Sequence, residues 1–219
     1  MLAYAVEIGI RADNPAVGIK RAPGCKEEWK TWSEADVARF EDKHPVGTKA
    51  RLALALLLYT GQRVSDMARM GRQHVHDRLI DVRQQKTGAA LSIPIHPELR
   101  AIIDSMPVDN LNFMMTATGK PFTANGFCHW FFDRCREAGL PAGLSAHGLR
   151  KAMCRRLAEA CCSVPQIMAI SGHQTLSEVQ RYTRAAEQSR MARQAMEAIT
   201  ETQAYKPGDR FVEKEKNTK

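Results

Sequence analysis

Thr60-Gly61-Gln62-Arg63, Lys86-Thr87-Gly88, His147-Gly148-Leu149-Arg150, Gly172-His173 and Tyr182 supply, in that order, the residue types that attack on a phosphodiester needs. The attacked phosphate gathers negative charge on its non-bridging oxygens. Guanidinium groups answer this best, because each binds two oxygens at once and stays ionised. Arg63 and Arg150 are candidates for that clamp, and the i, i+3 spacing of His147 and Arg150 lets both face one ligand. A tyrosine hydroxyl, with an ordinary pKa of about 10, must lose its proton as it attacks. Histidine suits that transfer or a hydrogen bond to the phosphate. A lysine on a hairpin, Lys86, suits protonation of the leaving oxygen. No Asp/Glu cluster fitted to two metals accompanies the set, so the chemistry implied needs neither metal nor cofactor. Taken singly, each segment has a plainer reading: a surface ion pair for Arg63, an ordinary turn for Lys86, helix capping for His147 and Arg150, a helix stop at Gly172-His173, a core aromatic at Tyr182. Their joint order is the informative feature.

These residues fall at the boundaries of predictable elements. Residues 47–60 read as a helix apolar on most sides, ended by Gly61 in a left-handed conformation, with a short helix resuming near Val64. Residues 79–84 and 90–95 alternate like strands around a turn at Lys86, and Pro94 fits only near a strand end. Ser33 and Asp36 form a capping-box pattern, Thr123 caps a helix stopped by Gly139, and His147 opens the next. Ser163-Val-Pro-Gln166 caps another helix that ends at Gly172, and Thr175-Leu-Ser-Glu178 caps the one bearing Tyr182. Residues 1–12 read as a short amphipathic helix stopped by Asn14-Pro15, 16–30 as a linker, and the charged C-terminal stretch as a disordered tail. The organisation expected is 1–30 as helix plus linker, 31–200 as one compact domain and 201–219 as tail.

Bulk properties agree with a nucleic-acid partner. Thirty-two Lys and Arg against 24 Asp and Glu give the 219-residue chain a formal charge of +8, favouring a polyanion. The six cysteines have no C-x-x-C pair and read as reduced thiols. The longest apolar run, 52–59, is too short to span a bilayer, and no cleavage-site pattern follows the first helix, so a cytoplasmic protein without membrane contact is expected.

The quoted segments, in this order and spacing, resemble the catalytic motifs of tyrosine recombinases, the phage-integrase family, over roughly residues 30–195. The resemblance implies an α+β, mainly helical catalytic domain carrying a small antiparallel three-stranded sheet. It implies that Arg63 and Arg150 clamp the scissile phosphate, Lys86 protonates the leaving 5′-oxygen, His147 assists proton transfer, His173 holds the phosphate, and Tyr182 attacks to leave a 3′-phosphotyrosine. Asp66 stands where the family usually has glutamate, in the same supporting role. The implied partners are double-stranded DNA with attachment-type sites, further copies of the chain in a tetramer, and candidate accessory DNA-bending proteins. Residues 186–205, with Met191, Ala195 and Ile199 on one stripe, are a helix that either docks on a neighbouring copy or folds back on its own domain. Met1–Ala12 resembles only the end of the family's core-binding domain. The expectation is therefore a site-specific recombinase apparently lacking that domain, with a catalytically ineffective DNA-binding remnant or regulator as the alternative. A type IB topoisomerase and a helix-turn-helix regulator built on 163–184 are weaker readings.

Overall fold

The computed structural model describes residues 2–17, 30–108 and 110–204. Its pivot is α3 (Lys49–Thr60), which begins where the Thr48 side chain accepts from the Arg51 amide. Ala50, every residue from 52 to 58 and Thr60 are buried, so the helix has no solvent face to orient it and must be enclosed by neighbours. Those neighbours are α5 (Pro97–Asp104), α6 (Ala124–Glu137) and α7 (Ala146–Glu159). An aromatic layer joins α6 to the start of the domain. Trp32 and Phe40, the latter on α2 (Glu34–Lys43), have ring centroids 5.7 Å apart, and Phe40 lies 5.4 Å from Phe131. The capping box at the head of α2 is present, Asp36 Oδ2 accepting from the Ser33 amide at 2.9 Å and the Asp36 amide donating to Ser33 Oγ at 3.2 Å.

A second, smaller apolar cluster of Met153, Cys154, Ala158, Ile167 and Val179 lies between α7, α8 (Val164–Ser171) and the start of α9 (Leu176–Ala204). The sheet is the antiparallel meander expected, in the order β1 (Val75–His76), β2 (Leu79–Arg83), β3 (Ala90–Pro94). Ile80 pairs with Ile93 and Val82 with Leu91, so the inner face alternates along both strands. Pro94 is the last residue of β3. Short α4 (Val64–Met67) follows Gly61, whose φ of 60° and ψ of 23° close α3.

Three elements differ from expectation. Helix α1 covers only Leu2–Glu7, because Gly9 at φ 75° turns the chain before Asn14-Pro15 is reached. The helix expected over 186–205 is not separate: α9 runs unbroken from Leu176 to Ala204, past position 201, and the sequence has no glycine or proline between His173 and Lys206 to stop it. Residues 191–200 are all exposed, so this stretch does not fold back on its own domain. Residues 18–29 of the expected linker and 205–219 of the expected tail lie outside the described residues. Cys128, Cys135, Cys154, Cys161 and Cys162 are free thiols, and among the described residues no helix is long and apolar enough to cross a membrane.

The start of α7 is set by a distant segment. Lys30 bridges to Leu144, Trp32 Nε1 donates to the Ser145 carbonyl at 2.9 Å, and Ser145 caps the helix. Only glycine fits at 148, since a Cβ there would sit 2.3 Å from the Lys30 carbonyl oxygen and 2.9 Å from the Trp32 ring. Gly148→Ala is therefore expected to destabilise the fold by about 2 kcal/mol. Urea denaturation measures this, and an unchanged midpoint would mean that residues 30–32 do not dock as described.

Candidate active site

Arg63 is the first of the six candidates to be placed. The left-handed Gly61 lets the chain turn sharply out of α3, and Arg63 then occupies the N-cap of α4 in extended conformation, half-buried. Its Nη1 donates to Gln84 Oε1 at 3.1 Å. Gln84 follows β2 on the inward register of Ile80 and Val82 and is 1% exposed. Its amide nitrogen donates to Gln62 Oε1 at 2.7 Å and to the Ser171 carbonyl at 2.9 Å, while Thr87 Oγ1 donates to its oxygen at 2.8 Å. Gln62 in turn donates to the carbonyls of Thr60 and Ile170 at 2.9 and 2.8 Å. One buried amide pair thus ties α3, the hairpin and α8 together.

Arg150, one turn into α7 from His147, is 3% exposed. Its Nη1 donates to the Ser171 carbonyl at 2.8 Å and to the Gly61 carbonyl at shorter range. Its Nη2 is buried and, among the described residues, has no hydrogen-bond partner. Burial first, then the charge of Arg63, pulls this guanidinium down to about 10, which still leaves it cationic at neutral pH. Asp66 on α4 lies close enough to offset part of that charge. Its Oδ1 accepts from the Gln85 amide at 2.8 Å and anchors the hairpin base.

His173 follows Gly172, the left-handed C-cap of α8. It is buried, and its Nδ1 lies 2.7 Å from Ser171 Oγ. With that hydroxyl donating, the neutral ring carries its proton on Nε2, free for an external oxygen. Burial, with the charge of Arg150 adding, holds the ring down at about 4, so it is neutral at physiological pH. His147 is exposed at its edge, yet the crowding of its inner side, followed by Arg150, Lys151 and Arg63, lowers it too. Tyr182, half-buried on α9, packs against the second apolar cluster with its ring centroid 5.9 Å from that of His173. Burial, then the neighbouring Cys154, raises its phenol.

The structure brings Arg63, His147, Arg150, His173 and Tyr182 to one site, and leaves Lys86 exposed at the hairpin turn. Among the described residues no hydrogen bond or ion pair ties Lys86 to the other five. Gln62, Gln84, Ser171 and Lys151 were not assigned roles from the sequence. For Gln84 a signal existed, a polar residue on the inward register of an apolar strand; for Ser171 there was none. An open cleft of about 1090 Å3 runs along the sheet and touches this site through neighbours such as Asp66 and Gln84. Among the described residues no group of three His, Cys, Asp or Glu could hold a metal ion.

Proton linkage gives this geometry a measurable consequence. The folded His173 titrates at about 4 and the unfolded one at about 6.5, so between them the unfolded chain binds the extra proton. Stability therefore falls as pH drops through that window. The loss of unfolding free energy between pH 7 and pH 4.5 is expected to be smaller in His173→Gln than in the wild type, by urea denaturation. Equal losses would contradict the buried neutral ring.

Comparison with known proteins gives one consistent picture. The chain matches the description "Phage integrase family" over residues 35–189. It is 30% identical over 134 residues to the integrase of Escherichia phage HK022, covering 61% of this chain and 31% of that one. It is 26% identical over 194 residues to the tyrosine recombinase XerC of Actinobacillus succinogenes, covering 83% of this chain and 65% of the relative, so it spans less than two-thirds of either. A crystal structure of a lambda integrase (75–356) dimer bound to a COC′ core site superposes with a TM-score of 0.68 at 21% identity, over 83% of this chain and 68% of that one.

Proposed function

Because the chain belongs to the phage integrase family, we propose that it is the catalytic part of a site-specific DNA recombinase that breaks and rejoins strands through a 3′-phosphotyrosine. The observation that carries this is Arg150 Nη2, a cationic donor buried without a partner beside Arg63, His173 and Tyr182. Buried polar atoms are almost always paired, so an orphan donor among cationic neighbours supports an anion as its ligand. A phosphodiester supplies that anion in the form the surrounding side chains can act on.

In the proposed reaction the scissile phosphate lies against Arg63 and Arg150, which neutralise its non-bridging oxygens. His173 donates from Nε2 to the same group. Tyr182 Oη attacks phosphorus as its proton passes to His147, neutral and therefore able to accept it. The bond to the 5′-oxygen breaks and that oxygen takes a proton from Lys86, which the hairpin carries inward when DNA is bound. Attack by the free 5′-hydroxyl reverses every step, so no bond energy is lost to water. The raised phenol fits a nucleophile that loses its proton only during attack. Self-association on DNA would use the exposed stripe of α9, where Met191, Met196 and Ile199 are 57%, 64% and 50% exposed.

Nicked duplexes carrying the host element's attachment sequence trap the covalent step. Tyr182→Phe is expected to abolish the slow-migrating, protease-sensitive DNA band while changing binding by no more than about twofold. A band retained in that variant would assign the nucleophile elsewhere. The same wild-type band is expected to persist in excess EDTA, and its complete loss there would point to a metal nuclease.

A further inference from the structure

Lys86 stands exposed at the hairpin turn, yet the residue on either side of it is tied down. Before it, the Gln85 amide donates to Asp66 Oδ1 at 2.8 Å. After it, Thr87 Oγ1 donates to Gln84 Oε1 at 2.8 Å. Two backbone bonds close the turn beneath, from the Gln84 amide to the Ala89 carbonyl and from the Gly88 amide to the Gln84 carbonyl, both at 2.8 Å. Gln84 Oε1 also accepts from Arg63 Nη1 at 3.1 Å. A single oxygen atom therefore joins the phosphate clamp to the turn that carries the lysine. The direction of that oxygen is fixed. The amide nitrogen donates both hydrogens, to Gln62 Oε1 at 2.7 Å and to the Ser171 carbonyl at 2.9 Å, so a flipped amide would set its oxygen against two acceptors.

We propose that Gln84 is a positioning residue for strand cleavage: its side-chain oxygen couples Arg63 to the Lys86 turn, so that a phosphate seated on Arg63 sets where Lys86 delivers its proton. The proposal rests on the reading in which Lys86 protonates the leaving 5′-oxygen. A general acid works only within hydrogen-bond reach, about 2.6–3.2 Å, of the atom that it protonates. Lysine has a long, flexible stem, so the side chain alone does not hold its ammonium at one point. The backbone beneath it must be held in register with the phosphate. The route Arg63–Gln84–Thr87 does this through two hydrogen bonds, and a phosphate that draws Arg63 inward draws the turn with it. Gln84 is buried, so water does not compete strongly for these bonds. Arg63 gives one donor to Gln84 and has others in its fork for the phosphate.

The test compares the nicked attachment duplex with one whose 5′-bridging oxygen at the cut is replaced by sulfur. Thiols ionise at a pKa of about 8.5, so sulfur leaves without a proton and the general acid is bypassed. Thr87→Val removes the tie of the turn to Gln84 while keeping the side-chain shape, and Thr87→Ser keeps the hydroxyl. Thr87→Val is expected to form the covalent complex about tenfold more slowly on the oxygen duplex, and at the wild-type rate on the sulfur duplex. Thr87→Ser should match the wild type on both. Gln84→Met, which removes both ties, should be slowed on both duplexes and more on the oxygen one; thermal melts show whether it folds, and Thr87→Val decides if it does not. Lys86→Ala should lose about a hundredfold on oxygen and recover on sulfur, whereas Arg63→Gln should stay slow on both. Equal slowing of Thr87→Val on the two duplexes, or none on oxygen, overturns the coupling. A Lys86→Ala loss that sulfur does not restore removes the lysine from the acid's role, and the proposal with it. No covalent complex from the wild type on either duplex refutes the cleavage reading instead. Hydrogen exchange then decides the coupling: bound DNA should slow the Gly88 amide in the wild type but not in Thr87→Val, and equal slowing refutes it.

Discussion

The guanidinium of Arg150 closes the ends of two helices at once. Its Nη1 donates to the carbonyl of Gly61, the C-cap of α3, and to that of Ser171, the last residue of α8. Helix C-termini leave their last carbonyls unsatisfied and carry the negative end of the macrodipole, so a buried cation is suited to both. Each helix then turns away through a left-handed glycine, Gly61 or Gly172, which delivers Arg63 on one side and His173 on the other. Residue 172 has no room for a side chain either: a Cβ there would lie 2.4 Å from the Gln84 amide. The clamp is thus the meeting point of α3, α7, α8 and the hairpin, and the core exists in good part to hold that meeting fixed.

Such an arrangement is costly on its own. Arg63 and Arg150 repel one another, Arg150 Nη2 has no partner, and Asp66 Oδ2 is buried and unpaired as well. Asp66 offsets part of the charge and the amides of Gln62 and Gln84 satisfy the carbonyls, but a bound anion would relieve the rest. Burial, with the same excess of positive charge adding to it, keeps His147 and His173 neutral, and a neutral imidazole is the form that accepts a proton or donates one hydrogen bond. Burial against the second apolar cluster raises the Tyr182 phenol, so it stays protonated. Charge, protonation state and unsatisfied donors therefore point to one class of substrate.

Much of this was legible in the sequence because it depends on local chemistry. Ser33 with Asp36, Thr123, Ser163 with Gln166, and the glycines at 61 and 172 mark helix ends by the hydrogen bonds and dihedrals that they supply. Alternation around Lys86 gave the hairpin, and the order of motifs pointed to five side chains that the fold brings together. The unread parts depend on contacts distant in sequence. Gln84 read only as the end of a strand, because Gln62 and Ser171, which meet it, are distant in sequence. Lys151 had no role legible in the sequence, because Tyr182, whose ring lies 5.8 Å from its Nζ, is on the distant helix α9. The end of α1 was misjudged because Gly9, a local signal, was given less weight than the downstream Asn14-Pro15.

The most direct test is to digest the covalent protein–DNA complex with protease and nuclease and locate the adduct by mass spectrometry. The account predicts a nucleotide joined through its 3′-phosphate to the peptide containing Tyr182. An adduct on another tyrosine, on a serine, or through a 5′-phosphate would contradict it, because the proposed reaction has Tyr182 as its one nucleophile and leaves the phosphate on the 3′ side.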